Sequence, residues 1–143
     1  MRICFIGDVH GHDTWRQPVS DALAKQNNIV FIGDYLDSFT IDGIAIYDNL
    51  KDIIEMKKKY PDKITLLLGN HDYSYMYGKS NSGTNHIMAH DYRELLSANW
   101  NLFDLAWGYQ GEKKYTLATH AGLTNEYYKK FIWPEINNDE SNI

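Results

Sequence analysis

Four short apolar runs in this chain each end at a residue that can bind a metal ion. The runs occupy residues 2–7, 29–33, 64–69 and 115–119, and the residues that follow them are Asp8, Asp34, Asn70 and His120. Such runs, rich in aliphatic residues and mostly bounded by Gly, are typical of buried strands. In open α/β sheets, ligands bind beyond the carboxyl ends of the strands. The pattern therefore predicts one crevice in which side chains from four strand ends meet.

The segments between the runs predict an alternating order of strands and helices. Residues 11–27 have apolar side chains at helical spacing, with the regular helix beginning near Pro18. Residues 41–60 form an amphipathic pattern that ends before Pro61. Strand, helix, strand, helix, strand implies right-handed crossovers and a parallel sheet, so the predicted fold class is α/β.

The second half of the chain gives weaker local signals, and all 143 residues are predicted to form a single domain. Residues 73–84 are rich in Tyr, Gly, Ser and Asn, which predicts a long loop that either contacts substrate or only connects elements. The further predictions are a helix at 85–98, a core patch at 102–107, a hairpin-like turn at 108–113, a last helix at 124–133 and a polar tail from about 137.

Composition excludes some functions and favours a compartment. A formal net charge of -5 gives no support to a general nucleic-acid or membrane surface. No apolar stretch approaches the roughly 18 residues that a membrane helix needs, and Asp8 lies too close to the first residue for a signal peptide. Cys4 is the one cysteine, so no disulfide can form within the chain. These features predict a cytoplasmic protein, and no signal indicates an oligomeric state.

The donors at the strand ends suit the hydrolysis of phosphate esters. Two divalent cations about 3.5–4 Å apart can lower the pKa of a bridging water and neutralise charge on the phosphoryl group. A carboxylate between the two ions can bridge them, which is the natural role for Asp34. Asp8 and His10, in a loop just past a strand, can turn onto one ion. Since oxygen and nitrogen donors are mixed, the set suits Mn, Fe or Zn better than Ca.

Four motifs at these strand ends resemble the ordered motif set of calcineurin-like metallophosphoesterases. They are Gly7-Asp8-Val9-His10-Gly11, Gly33-Asp34-Tyr35-Leu36-Asp37, Gly69-Asn70-His71-Asp72 and His120-Ala121-Gly122-Leu123. The set is nearest to the branch that holds the phosphoprotein phosphatases and the diadenosine tetraphosphatases. The resemblance implies an α/β sandwich that hydrolyses phosphomonoesters, phosphodiesters or nucleoside polyphosphates. Its substrate would be a phosphorylated small molecule, a nucleotide or a phosphoprotein.

The resemblance also implies a role for each matching residue. Those that would hold two divalent metal ions (Mn, Fe or Zn) are Asp8 and His10 at the first ion, Asp34 as the bridge, and Asn70 and His120 at the second. A metal-bridging hydroxide would attack the phosphorus. His71 would be the general acid that protonates the leaving oxygen, and Asp37 would orient His71 and raise its pKa.

Two departures from the family pattern affect these expectations. No histidine follows His120, whereas the family carries one that completes the second metal's ligands, so the second site is predicted to be weakened. The second sheet of the sandwich would also be short of strands. The alternative is a truncated or catalytically impaired fragment that acts as a metal-binding or scaffold protein. Ser38 stands where phosphoprotein phosphatases carry a phosphate-binding arginine, which argues against that activity.

Four further residues admit a functional interpretation beside a structural one. His12 could touch substrate or metal, but a neighbour of a helix cap is favoured. His86 and His90 lie four apart and could replace the missing ligand, although exposed helix histidines are more common. Arg93 could replace the lost arginine, but a solvated helix face is favoured.

Overall fold

The computed structural model describes residues 2–112, 114–127 and 129–130. The elements follow one another in the order β1 (Ile3–Ile6), α1 (Arg16–Ala24), β2 (Asn28–Phe31), α2 (Gly43–Lys59), β3 (Ile64–Leu67), α3 (Asn70–Met76), α4 (Ala89–Ala98), β4 (Phe103–Asp104), β5 (Ala106–Gln110), β6 (Tyr115–Thr119) and α5 (Asn125–Tyr127). A 3₁₀ turn at Trp100–Leu102 precedes β4. The predicted tail from 137 and the end of the predicted last helix lie outside the described residues.

The main sheet is parallel and has the strand order β1-β2-β3-β4. Its first three strands are the first three apolar runs, so the predicted α/β fold with a parallel sheet is confirmed. The fourth strand, β4, lies in the patch that was predicted to be core. Because only Leu66–Phe103 and Leu67–Asp104 pair in it, it is too short to leave a periodic signal in the sequence.

The fourth apolar run does not belong to this sheet. It forms β6, which pairs antiparallel with β5 in a separate two-stranded sheet. The fourth strand end therefore reaches the predicted crevice from a second sheet, where His120 Nε2 lies 3.3 Å from Asp34 Oδ2. The predicted turn at 108–113 also lies later, since Gly108 is paired with Leu117 inside the hairpin. Trp107 of β5 packs edge-to-face on Phe5 of β1 at 6.0 Å, which joins the two sheets.

The helices α1 and α2 pack their apolar faces against the main sheet. The helix α1 includes Pro18 as its third residue, and α2 ends before Pro61, as predicted. The carboxylate of Asp42 caps α2 by accepting from the Ile44 amide at 2.9 Å. The core holds fully buried side chains from both layers, among them Ile29, Phe31, Leu50, Ile53, Ile54, Ile64 and Leu66. This packing holds the carboxyl ends of β1, β2 and β3 side by side.

The predicted loop at 73–84 is partly helical. Its first residues belong to α3, which begins at Asn70. The predicted helix at 85–98 begins later, as α4 at Ala89, because the Asn85 side chain accepts from the amides of Ile87 and Met88, both at 3.1 Å, and forms a turn before the helix.

None of the helices in the described ranges is long and apolar enough to cross a membrane.

Candidate metal centre

The loops after β1 and β2 are joined by backbone hydrogen bonds. The amides of Val9 and His10 both donate to the Asp34 carbonyl, at 3.0 and 2.8 Å. His10, Asp34 and Asp37 have φ angles of 45°, 52° and 64°, in the left-handed region that non-Gly residues rarely adopt. Each such residue costs on the order of 1–3 kcal/mol unless its surroundings enforce the geometry. The strain therefore falls on three residues of the predicted site.

Glycine is required where the loops after β2 and β3 meet. A Cβ atom on Gly69 would overlap the backbone nitrogen and the carboxylate of Asp34. Gly33 has a φ of +116° and lies directly against the Gly69 backbone. The glycines in the two motifs thus permit a close approach that brings Asn70 and His71 beside Asp34.

The Asp34 carboxylate lies at the centre of the site. It is 4% exposed, and its Oδ1 accepts from the His71 amide at 2.9 Å. Its Oδ2 lies 3.3 Å from His120 Nε2 and 3.8 Å from His10 Nε2. One carboxylate oxygen therefore faces an imidazole from each side, which is the position predicted for a bridging ligand.

Backbone carbonyls fix the tautomers of both imidazoles. His10 Nδ1 lies 2.9 Å from the carbonyl oxygens of Leu36 and of Asp37, and His120 Nδ1 lies 3.1 Å from that of Ile32. Because a carbonyl only accepts, Nδ1 carries a proton, and in the neutral ring Nε2 presents its lone pair toward Asp34. Burial lowers the pKa of His10, but these carbonyls and the charges of Asp34 and Asp8 together raise it.

The donor atoms fit a cation. His120 Nε2 lies 3.0 Å from Asn70 Oδ1 and 3.3 Å from Asp34 Oδ2. In a neutral ring with its proton on Nδ1, Nε2 is an acceptor, and the three acceptor atoms then face one another. One donor atom each from Asp8, Asp34 and His120 also lies within 4.8 Å of the others. A positive ion placed among them would turn this repulsion into attraction.

A second polar group lies beside this cluster. His71 Nδ1 is 2.8 Å from Asp37 Oδ2, and the Tyr75 hydroxyl donates to the other oxygen of Asp37. Asp37 is 2% exposed. Burial, then the hydrogen bond to Asp37, raises the pKa of Tyr75 well above its ordinary range, so the phenol remains a donor. Asp37 is therefore held from two sides and can fix the orientation of the His71 ring.

Sequence reasoning missed two residues of this region. Buried Asp72 accepts from the amides of Tyr35, Leu36 and Gly69 at 2.9, 3.1 and 3.0 Å. An acidic residue in the first turn of a helix was the available signal for it. Burial, reinforced by the charge of Asp34, raises the pKa of Asp72 to about 6 against these three hydrogen bonds. Tyr75 was hidden because its segment was predicted to be a loop.

Asp72→Asn is expected to lower the free energy of unfolding by about 1–3 kcal/mol at pH 7. The Asn side chain keeps one acceptor oxygen but has an NH₂ group in place of the other. At least one of the three backbone amides that donate to Asp72 therefore loses its acceptor. Urea unfolding measures the change. Asp62→Asn, at an exposed position after α2, is the matched control and is expected to change the stability little. Equal stabilities of the two variants would contradict the role given to Asp72.

Two cavities flank the cluster. One, of about 300 Å³, is lined by His10, Asp37, Ser38 and His71 together with His12, Phe39, Thr40 and Ser82. The other, of about 610 Å³, is mainly apolar and is lined by Asn70 and His120 on one side. The Ser38 hydroxyl accepts from the amides of Thr40 and Ile41 at 3.3 Å. Neither Lys nor Arg is among the described residues that line the cavity around His71.

The structure distinguishes the residues predicted for the site from the four further candidates. It brings together all seven residues predicted for the site, although their individual roles stay predictions. His12 is exposed and lines the cavity around His71. His86, His90 and Arg93 are exposed, as favoured, and line a different cavity. They are not part of the cluster of Asp8, Asp34 and His120.

The amino-acid sequence matches a known protein family. A profile described as calcineurin-like phosphoesterase matches residues 1–142. The chain belongs to the calcineurin-like phosphoesterase family. This membership agrees with the resemblance carried by the four motifs, and it makes the convergent donors a candidate metal-binding group of a phosphoesterase.

The matches of this calcineurin-like phosphoesterase to individual proteins cover only part of those proteins. The chain is 31% identical over 74 residues to the serine/threonine-protein phosphatase PP2A-like PPG1 of Candida albicans, which is 49% of this chain and 16% of that protein. The match thus spans less than a fifth of this curated relative. The phosphoesterase YfcE of E. coli superposes with a TM-score of 0.48 at 17% identity, over 88% of this chain and 61% of YfcE.

Proposed function

We propose that this chain hydrolyses phosphate esters with the help of two divalent metal ions. The observation that carries the proposal is the convergence of Asp34 Oδ2, Asn70 Oδ1 and His120 Nε2 beside the hydrogen-bonded Asp37–His71 pair. A structural ion site has no need of a polarised histidine next to it, whereas a phosphoesterase needs both a cation and a proton donor.

The donors divide into two sets that share Asp34. Asp8 and His10 would hold one ion with it, while Asn70 and His120 would hold the other. When bound, the ions supply a nucleophilic oxygen at neutral pH and neutralise charge on the phosphoryl group. Manganese, iron and zinc accept these donors. Because Asn70 offers a neutral amide oxygen where Asp8 offers a carboxylate, the second set is the weaker one.

The chain itself supplies the proton for the leaving group. Asp37 accepts from His71 Nδ1, which leaves Nε2 as the ring atom that can carry a proton for a substrate in the cavity that His71 lines. As the phosphorus–oxygen bond breaks, Nε2 donates this proton to the leaving oxygen, and the resulting neutral imidazole keeps its Nδ1 proton on Asp37. Tyr75 prevents the carboxylate from rotating away.

The substrates proposed are phosphomonoesters, phosphodiesters and nucleoside polyphosphates. Ser38 offers no charge to a phosphoryl oxygen, because its hydroxyl is engaged in a local turn and no guanidinium replaces it in the described lining of the cavity. This feature favours a small or multiply anchored substrate over a phosphoprotein bound through an arginine.

Turnover of p-nitrophenyl phosphate and bis(p-nitrophenyl) phosphate tests the proposal. Protein treated with a chelator is expected to be inactive and to regain turnover of at least one of the two esters when Mn²⁺ is added. Turnover that persists without metal, or is absent with it, would overturn the proposed function.

Asp37→Asn is expected to lower the turnover of an alkyl phosphate by about 10–100-fold. The amide places an N–H group opposite His71 Nδ1, so the imidazolium loses its counter-charge while the Tyr75 hydroxyl keeps an oxygen to donate to. Metal content should not change, because Asp37 is not among the proposed ligands. A variant with full turnover would show that His71 needs no orienting carboxylate.

A further inference from the structure

A third cavity, which the proposed reaction does not use, lies against Tyr75. Its volume is about 380 Å³, and segment 78–86 and the first half of α4 form its walls. Four basic side chains line it: Lys79, His86, His90 and Arg93. Ser80 adds a hydroxyl, whereas the hydroxyls of Tyr75 and Thr84 already donate to Asp37 and to the Asn81 carbonyl, and no carboxylate is among the described residues that line the cavity. We refer to it as the basic cavity.

Two of the four basic side chains are unpaired among the described residues. His90 Nε2 lies 3.4 Å from a Glu94 oxygen, and Arg93 donates through one amino group to the Met76 carbonyl at 2.9 Å. Within the described part of the chain, the side chains of Lys79 and His86 make neither a hydrogen bond nor an ion pair. In a chain of formal net charge -5, this cluster produces a local positive potential that attracts anions.

One segment separates the basic cavity from the reaction centre. Ser82 lines the cavity around His71, whereas Ser80 and Thr84 line the basic cavity. The segment is tied to α3, since the Asn81 side-chain amide donates to the Asn70 carbonyl at 3.1 Å and to the Ser74 hydroxyl at 2.7 Å. A molecule that crosses this segment would therefore reach both cavities at once.

We propose that the basic cavity binds a second phosphate group of the substrate while the phosphoryl group to be hydrolysed lies beside His71. The inference rests on the proposed function. The Arg93 guanidinium, the Lys79 ammonium and the Ser80 hydroxyl are donors that match a phosphate, which accepts through several oxygens. The cavity around His71 has no lysine or arginine in its described lining. Lys79 and Arg93 in the basic cavity would supply the binding energy that it lacks. Free inorganic phosphate carries the same chemistry.

The site itself is tested without catalysis. Inorganic phosphate is titrated into chelator-treated protein, and the backbone amide resonances are followed by NMR. Amides of residues 79–84 and 89–93 are expected to shift. In the double variant Lys79→Ala/His86→Ala, the affinity should fall about three- to tenfold. Lys51→Ala, on an exposed position of α2, is the matched control and should bind like the wild type. Absence of shifts, or equal affinity in the double variant, would overturn the site.

Kinetics then identify the source of the phosphate. The double variant is expected to raise the KM for ATP about three- to tenfold while leaving the KM for p-nitrophenyl phosphate, which has one phosphate, unchanged. Weakened phosphate binding with no change in either KM would overturn the assignment to the substrate, because only free phosphate would then occupy the cavity. Wild-type protein that turns over neither ATP nor p-nitrophenyl phosphate refutes the proposed function, and the NMR titration still decides whether the site exists.

Discussion

Asp34→Asn is expected to abolish metal-dependent turnover and to leave the fold intact. The amide keeps an oxygen for the His71 N–H group, and Asn tolerates the φ of 52° at this position. What it removes is the charge between the two imidazoles. Mutating a residue that only hydrogen-bonds to a metal ligand typically lowers metal affinity by about 10–100-fold. Loss of the shared ligand itself should therefore weaken metal binding by more than ~100-fold. Metal content after dialysis and the rate in Mn²⁺ measure the effect.

Asp48→Asn is the matched control for this variant. Asp48 lies on an exposed position of α2, away from the donor cluster, so the same chemical change should leave metal content and rate as in the wild type. Full metal content and full activity in Asp34→Asn would show that Asp34 does not bridge the two sets of donors.

His71→Ala is expected to lower turnover of an alkyl phosphate by roughly 10²–10⁴-fold while metal content stays unchanged. The substitution removes the proton donor but spares the backbone amide that bonds to Asp34. The leaving alkoxide then departs without protonation, which raises the barrier of the chemical step. Steady-state rates and metal analysis on the same samples measure both parts of the prediction.

The leaving group provides an internal control for His71→Ala. Because p-nitrophenolate departs readily without a proton, turnover of p-nitrophenyl phosphate should fall much less than that of an alkyl phosphate. An equal loss for the two substrates would contradict the role of His71 as a general acid. Loss of metal from the variant would show that His71 is a ligand instead.

The sequence predicted those parts of the fold and the site that depend on local pattern. β1, β2 and β3 are apolar runs that end at Gly and then at Asp or Asn. The apolar signal is strongest in β2 and β3, which are largely buried, whereas Phe5 of β1 is 46% exposed. The order of the three motifs follows directly from that sheet. The amphipathic period of α2 and its stop at Pro61 are equally local.

The remaining parts depend on tertiary contacts that no local pattern encodes. β4 contributes two residues, too few for a periodic signal. β6 has the composition of a buried strand but pairs with β5, and only the packing of the two sheets brings His120 to the cluster. The left-handed φ of His10 and Asp34 is imposed by hydrogen bonds between loops. Asp72 and Tyr75 owe their roles to the same contacts.

Metal occupancy and rate, measured on the same samples, test the central claim most directly. Chelator-treated protein is titrated with Mn²⁺, and bound metal per chain is compared with turnover of an aryl phosphate. We expect a tighter and a weaker ion, with the rate following occupancy up to about two metals per chain. Fewer than about one bound metal per chain together with no turnover would contradict the claim and favour a catalytically impaired scaffold that keeps the fold.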